Sequence, residues 1–150
     1  MMSNVAEEVR AQFTGFEFGP PCAEVEVTRA EHALGQQLPL AIRSLYLAFD
    51  GFRGPTNARF MWPLFGRDGL VEFNGFLRSG SEFPRAFVSS CVFYGDAGIG
   101  EVWGIKHELP GRVIRWNASW GEDFEDAGSA PLEVWLKEKA AYDELARKTK

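Results

Sequence analysis

The stretch whose reading decides the fold runs from Phe93 to Trp116: F-Y-G-D-A-G-I-G-E-V-W-G-I-K-H-E-L-P-G-R-V-I-R-W. Two short runs of strand-forming residues, Glu101 to Ile105 and Arg112 to Trp116, flank a charged connection that contains Pro110 and Gly111, which predicts a β-hairpin. Ahead of the hairpin lies a loop with Gly95, Gly98 and Gly100 around one carboxylate, Asp96. Such a loop can cradle a ligand or can simply turn the chain, and the two readings lead to different functions. A dinucleotide site reads G-x-G-x-x-G between a strand and a helix, with the helix N-terminus facing the pyrophosphate. Here the spacing is reversed, G-x-x-G-x-G, and a strand follows. The loop is therefore expected to be a turn needing left-handed backbone at one or more glycines, with Asp96 capping it or contacting a partner.

On the N-terminal side, Val5, Val9 and Phe13 recur at helical spacing, with Ser3 or Asn4 as the cap. Thr28 and Glu31 have capping-box spacing for a second helix carrying Ala30, Ala33 and Leu34 and ending near Gly35. Pro39 suits the first turn of a third helix, in which Ile42, Leu45, Tyr46 and Phe49 share a face up to Asp50-Gly51. Residues 52–59 read as a polar loop. Phe60 to Phe65 reads as a short strand that Pro63 confines to an edge or a strand end. Residues 66–87 give no clear pattern. Val88 to Tyr94 reads as a strand, Asn117 to Ser129 as a polar acidic connection. Pro131 opens a last helix with Leu132, Trp135, Leu136 and Ala140 turned inward. Helices first, strands next and a closing helix predict a single α+β domain over residues 1–150. Its sheet is expected to be mostly antiparallel, with five or six strands flanked by the N-terminal helices and the C-terminal one.

Composition narrows the function classes. A chain of 150 residues with 45% apolar and 25% charged residues suits one soluble domain that buries roughly 70% of its unfolded surface. Thirteen Phe and five Trp are a high aromatic share; such rings usually fill a core, and with this many a contact surface is open to some of them as well. The net charge of −5 argues against direct nucleic-acid binding and suits a basic protein partner. The first twenty residues carry neither a basic n-region nor an apolar h-region, and no apolar run approaches membrane-spanning length. Cys22 and Cys91 do not form a disulfide framework or zinc set, so free thiols and a cytoplasmic location are expected. The sequon Asn117-Ala118-Ser119 carries little weight in that setting.

Chemical signatures are sparse. His32 and His107 belong to no metal or catalytic motif. Neither G-x-S-x-G, a P-loop nor a calcium loop occurs. Asp96, Glu101, Glu122 and Asp123 lack a diagnostic acid–base spacing. No cofactor, metal or catalytic residue is expected. Glu122, Asp123, Glu125 and Asp126 surround Phe124, and no Lys or Arg occurs between Arg115 and Lys137. That segment reads either as a solvated loop or as an acidic lure for a cationic partner, with Trp120 and Phe124 as anchors. Trp116 ends an apolar strand and is assigned to the core.

Three blocks together resemble a known family. They are E-x-x-L-G-x-x-L-P-x-x-I-R-x-L-Y from Glu31 to Tyr46, the glycine block, and L-x-x-W-L from Leu132 to Leu136. In this order and spacing they resemble the SUKH superfamily, over roughly residues 24–138. Its founding member is a yeast regulator of cell-wall synthesis, and its bacterial members are mostly immunity proteins against polymorphic toxins. The resemblance is carried by Glu31, Leu34, Gly35, Leu38, Pro39, Gly95, Asp96, Gly98, Gly100, Trp135 and Leu136, all expected to be structural. The chain departs from the family at Asp50-Gly51, where Asn-Gly is common. Ala97 and Ile99 interrupt the glycine run, and Ala130-Pro131-Leu132 stands where a small polar residue and an aromatic are usual. The resemblance implies a non-enzymatic protein that occludes a cognate toxin, with residues 120–126 as the wagered contact. The alternative is a regulatory or scaffold module linked to cell-wall synthesis.

Overall fold

The computed structural model describes residues 4–55 and 58–148. Helix α1 (Val5–Gln12) starts where the Asn4 carboxamide accepts the Glu7 N–H; Ser3, the other candidate cap, lies outside the described residues. After strand β1 (Glu17–Phe18) come α2 (Glu24–Leu34), α3 (Leu40–Ala48) and β2 (Phe52–Arg53). Then follow α4 (Leu70–Ser79), α5 (Arg85–Ser89), β3 (Cys91–Asp96), β4 (Glu101–Lys106), β5 (Val113–Asn117), a 3₁₀ turn (Ala118–Trp120), β6 (Glu125–Gly128) and α6 (Pro131–Lys148). The α+β architecture is as expected. Its strands divide into an antiparallel four-stranded sheet, β3-β4-β5-β6, and an antiparallel pair, β1-β2.

Several boundaries differ from the sequence reading. Helix α2 begins at Glu24, four residues before Thr28, because Glu26 reaches back to the Ala23 N–H and supplies the capping contact. Thr28 is an exposed mid-helix residue. Glu31 instead points forward, accepting from the Leu38 N–H at 2.8 Å and from Arg43 Nε at 3.2 Å. It thereby ties the end of α2 to the start of α3 across the left-handed Gly35, which has φ 74°. Ala33 and Ala140 are exposed. The unpatterned region holds α4 and α5, and Val88 belongs to α5. Within the acidic connection, residues 125–128 form an edge strand, which the absence of an apolar alternation concealed.

Alternation along the strands gives each face of the four-stranded sheet a separate core. Val92, Tyr94, Trp103, Ile105 and Val113 join Val9, Phe13, Ile42 and Trp135 on one side. Cys91, Phe93, Val102, Ile114 and Trp116 pack with Leu77, Phe87 and Val88 on the other. Aromatic contacts knit the larger core, with Phe52 edge-on to Trp135 at 4.8 Å and Phe60 to Trp103 at 5.6 Å.

The segment 59–62 is what joins the two sheets. Met61 exchanges both main-chain hydrogen bonds with Phe52. On its other side the Trp62 N–H donates to Tyr94 O at 2.7 Å, and the Asp96 N–H donates to Arg59 O at 2.9 Å. The strand expected over Phe60 to Phe65 is thus a short bridging segment, broken by Pro63. The outer edge of β3 next to it is closed by side chains. Asn74, fully buried on α4, donates to Phe93 O at 2.9 Å and accepts from the Phe93 N–H at 3.0 Å. Arg78 bridges Leu34 O and Cys91 O.

Asn74→Ala strands both main-chain groups of Phe93 away from water, and an unsatisfied buried group costs the full desolvation of that group. Urea denaturation should show a loss of about 2–4 kcal/mol, with the m-value unchanged.

Candidate functional site

The loop from Gly95 to Gly100 was the first candidate, and its polar groups are consumed internally. A bulge between Phe93 and Gly95 turns the chain toward the loop. A Cβ at Gly95 would lie 2.0 Å from Phe60 O, so only glycine lets the bridging segment cross here. Gly98 and Gly100 have φ of 84° and 88°, the left-handed backbone the turn requires. Asp96 Oδ1 accepts from the Gly98 N–H at 2.8 Å, and Oδ2 accepts from Trp62 Nε1 at 2.8 Å. Arg59 Nη2 sits 3.2 Å from Oδ2. Tyr142 Oη on α6 donates to Ala97 O at 2.6 Å, and the Ala97 N–H donates to Glu101 O. Asp96 is therefore a turn cap and a clasp for Trp62.

Beside the loop lies a cleft of about 390 Å³, lined by Arg59, Trp62, Phe73, Asp96, Val102 and Trp116 among others. Its two charged groups are paired with each other, and its walls are aromatic. Such a surface can receive an apolar or aromatic side chain but presents no free base or nucleophile.

The remaining chemical candidates are dispersed. Glu101 pairs with Arg115 at 3.5 Å. His107 is exposed in the turn that follows β4, roughly 20 Å along that strand from Glu101. Asp96, Glu101 and His107 thus do not converge. Ser90 Oγ donates to Phe87 O and accepts from Lys106 Nζ. No group of three or more metal-type side chains is found among the described residues, nor is any helix there long and apolar enough to cross a membrane.

The acidic segment is built differently from its uniform appearance in sequence. Asp126 is held by Arg112, the residue just before β5, through Nε–Oδ2 and Nη2–Oδ1 contacts of 3.0 and 2.8 Å, and also accepts from the Gly128 N–H. The bond to Arg112 holds its carboxyl below the usual range. Glu122, Asp123 and Glu125 are exposed, and none forms an ion pair among the described residues. Phe124 is 37% exposed and stacks on Phe87 at 5.9 Å, with Lys106 above both rings. Trp120 is half-buried against the smaller core, whereas Trp116 is fully buried and donates its indole N–H to Gly121 O. Arg112 and Lys106 were not singled out by sequence; Asp126 pairs in register with Ile114, and Arg112 reaches it from the residue just before β5.

Of the other sequence-chosen positions, Leu38 and Trp135 are buried, Leu34 and Leu136 are half-buried, and Pro39 is the cap residue of α3. Trp135 Nε1 donates to Phe60 O, pinning α6 to the bridging segment. No protein-family model matches the chain, and no curated protein matches its sequence.

Both thiols are free and buried. Burial pushes the Cys91 thiol up to about 11; burial, helped by the Asp50 carboxylate, pushes Cys22 up to about 12. An unfolded thiol ionises near about 8.5, so the contribution of both groups to stability is complete below that pH. It is lost progressively as pH rises toward the folded values. Alkylation at pH 8 should proceed only at the rate of unfolding, and equilibrium stability should fall between about pH 9 and 11. In a Cys22→Ala, Cys91→Ala variant that fall should be smaller.

Proposed function

We propose that this chain is a non-enzymatic, SUKH-like immunity protein that binds a cognate toxin domain with a cationic surface and blocks it stoichiometrically. The observation that carries this reading is the state of the 122–125 segment: three exposed carboxylates without ion-pair partners among the described residues, grouped around an exposed phenyl ring. They lie in β6 and just before it, at one end of the four-stranded sheet. Unneutralised carboxylates on one side of a protein steer a basic partner toward it and raise its association rate. Phe124, together with the partly covered Trp120, supplies apolar area for the contact once water is excluded. Asp126 has a different role, since its bond to Arg112 fixes β6 on β5 and holds the segment in place. A nuclease toxin, which must be cationic to grip phosphates, fits this charge pattern. The motif resemblance and the acidic segment support the same reading independently.

Co-expression with the toxin encoded beside it should protect the host, and the two proteins should co-purify. Continued killing without a complex, or capture of endogenous cell-wall regulators in the toxin's place, would contradict immunity. Lysine at positions 122, 123 and 125 should leave the melting temperature near its original value, because these side chains are exposed. It should slow association at low salt by about tenfold or more, with the difference shrinking as salt rises. An unchanged on-rate would remove the acidic segment from the interface.

A further inference from the structure

A second cleft, of about 500 Å³, opens where β1, β2 and the bridging segment meet, at the other end of the strand series from β6. Its apolar lining includes Phe18, Met61 and Pro63, and three guanidinium groups, from Arg53, Arg59 and Arg67, line it as well. These arginines are unequally committed. Arg59 uses two of its N–H groups on Asp96 and Asp68 O. Arg53 meets Glu17 at 3.1 Å, but both side chains are more than 60% exposed, an arrangement in which water and other anions compete readily. Arg67 is exposed and has no ion-pair partner among the described residues. A guanidinium carries five donors in a planar fork suited to carboxylate oxygens. Three of them around an apolar floor leave donors that nothing in the described chain satisfies.

We infer that this cleft binds an acidic side chain of an extended peptide, with an apolar neighbour seated on Phe18 and Pro63. Two features select a carboxylate over a phosphate. Glu17 and Asp50 also line the cleft, so a dianion meets twice the repulsion that a single carboxylate does. The second carboxylate, Asp50, is fixed there by the Leu64 N–H at 2.8 Å and cannot swing away. The peptide form follows from β1, which pairs only with β2 among the described residues. As the outer strand of that pair, it has no strand on its other side among the described residues, the arrangement to which an extended segment adds. This site goes beyond the toxin reading and does not rest on it, because it uses different residues at the other end of the strand series.

The test is a titration of the full chain with the capped peptide Ac-Leu-Glu-Phe-NH₂, followed by amide chemical shifts and calorimetry. The expected result is saturable binding with shifts at Phe18, Gly19, Gly51 and Arg53. Affinity should drop about tenfold or more for Ac-Leu-Gln-Phe-NH₂, since the charge-assisted bonds are lost. Arg67→Ala should weaken the glutamate peptide severalfold without moving the melting temperature, because Arg67 holds no other element in place. Equal binding of the two peptides, shifts confined to other surfaces, or an Arg67→Ala variant that binds like the parent would overturn the site. Tighter binding of inorganic phosphate than of the glutamate peptide at these residues would overturn the ligand class.

Discussion

The outer edge of β3 is the constraint on which the rest of the molecule depends. A sheet edge presents a row of unpaired N–H and C=O groups, and burying it unpaired is costly. Here a short piece of main chain, one asparagine and one arginine complete it: residues 59–62 at Tyr94 and Asp96, Asn74 at Phe93, and Arg78 at Cys91. The closing groups come from two stretches of chain, the 59–62 segment and helix α4, which carries both Asn74 and Arg78, so closing the edge also fixes those elements on the sheet. Tyr46 donates to Trp62 O, Trp135 to Phe60 O, and Asp50 accepts from the Leu64 N–H. The bridging segment therefore joins α3, α6 and both sheets.

The glycine loop takes its meaning from the same crossing. Gly95 is required because Phe60 O passes where a side chain would begin, and Asp96 is spent on Trp62, Gly98 and Arg59. What looked like a cradle is the place where the chain passes over its own sheet edge. At the opposite end of the four-stranded sheet, β6 has no outer strand partner among the described residues, and the carboxylates of the proposed interface lie in it and just before it. The arginine cleft occupies the other end of the strand series, so the two proposed contact regions are separated by the sheet itself.

Much of this was readable where a pattern repeats within a few residues. Periodicity located α1, α3 and α6, and the Glu101–Trp116 hairpin followed from two β-type runs around Pro110-Gly111. The reversed glycine spacing argued correctly for a turn. The failures have a common physical origin. The start of α2 was misplaced because Thr28 and Glu31 match a capping box, while Glu31 is drawn forward by Leu38 and Arg43, partners distant in sequence. Helix α4 was illegible because its apolar residues divide between the two cores, Leu70 and Val71 in the larger and Phe73 and Leu77 in the smaller, with Phe76 exposed, and α5 is only five residues long. The commitment of Asp126 to Arg112 and the gathering of Arg53, Arg59 and Arg67 are products of tertiary closure. Local sequence carries the residue types for both but not their proximity.

The most direct measurement of the central claim is native-state hydrogen exchange at the Phe93 amide, the group held by the Asn74 side chain. If the β3 edge is the constraint that holds the elements together, this amide exchanges only through global unfolding. Its opening free energy then equals that of the central β4 amides and falls with denaturant along the same slope. Exchange of Phe93 by local opening, with a markedly smaller free energy and little denaturant dependence while β4 stays protected, would contradict the account.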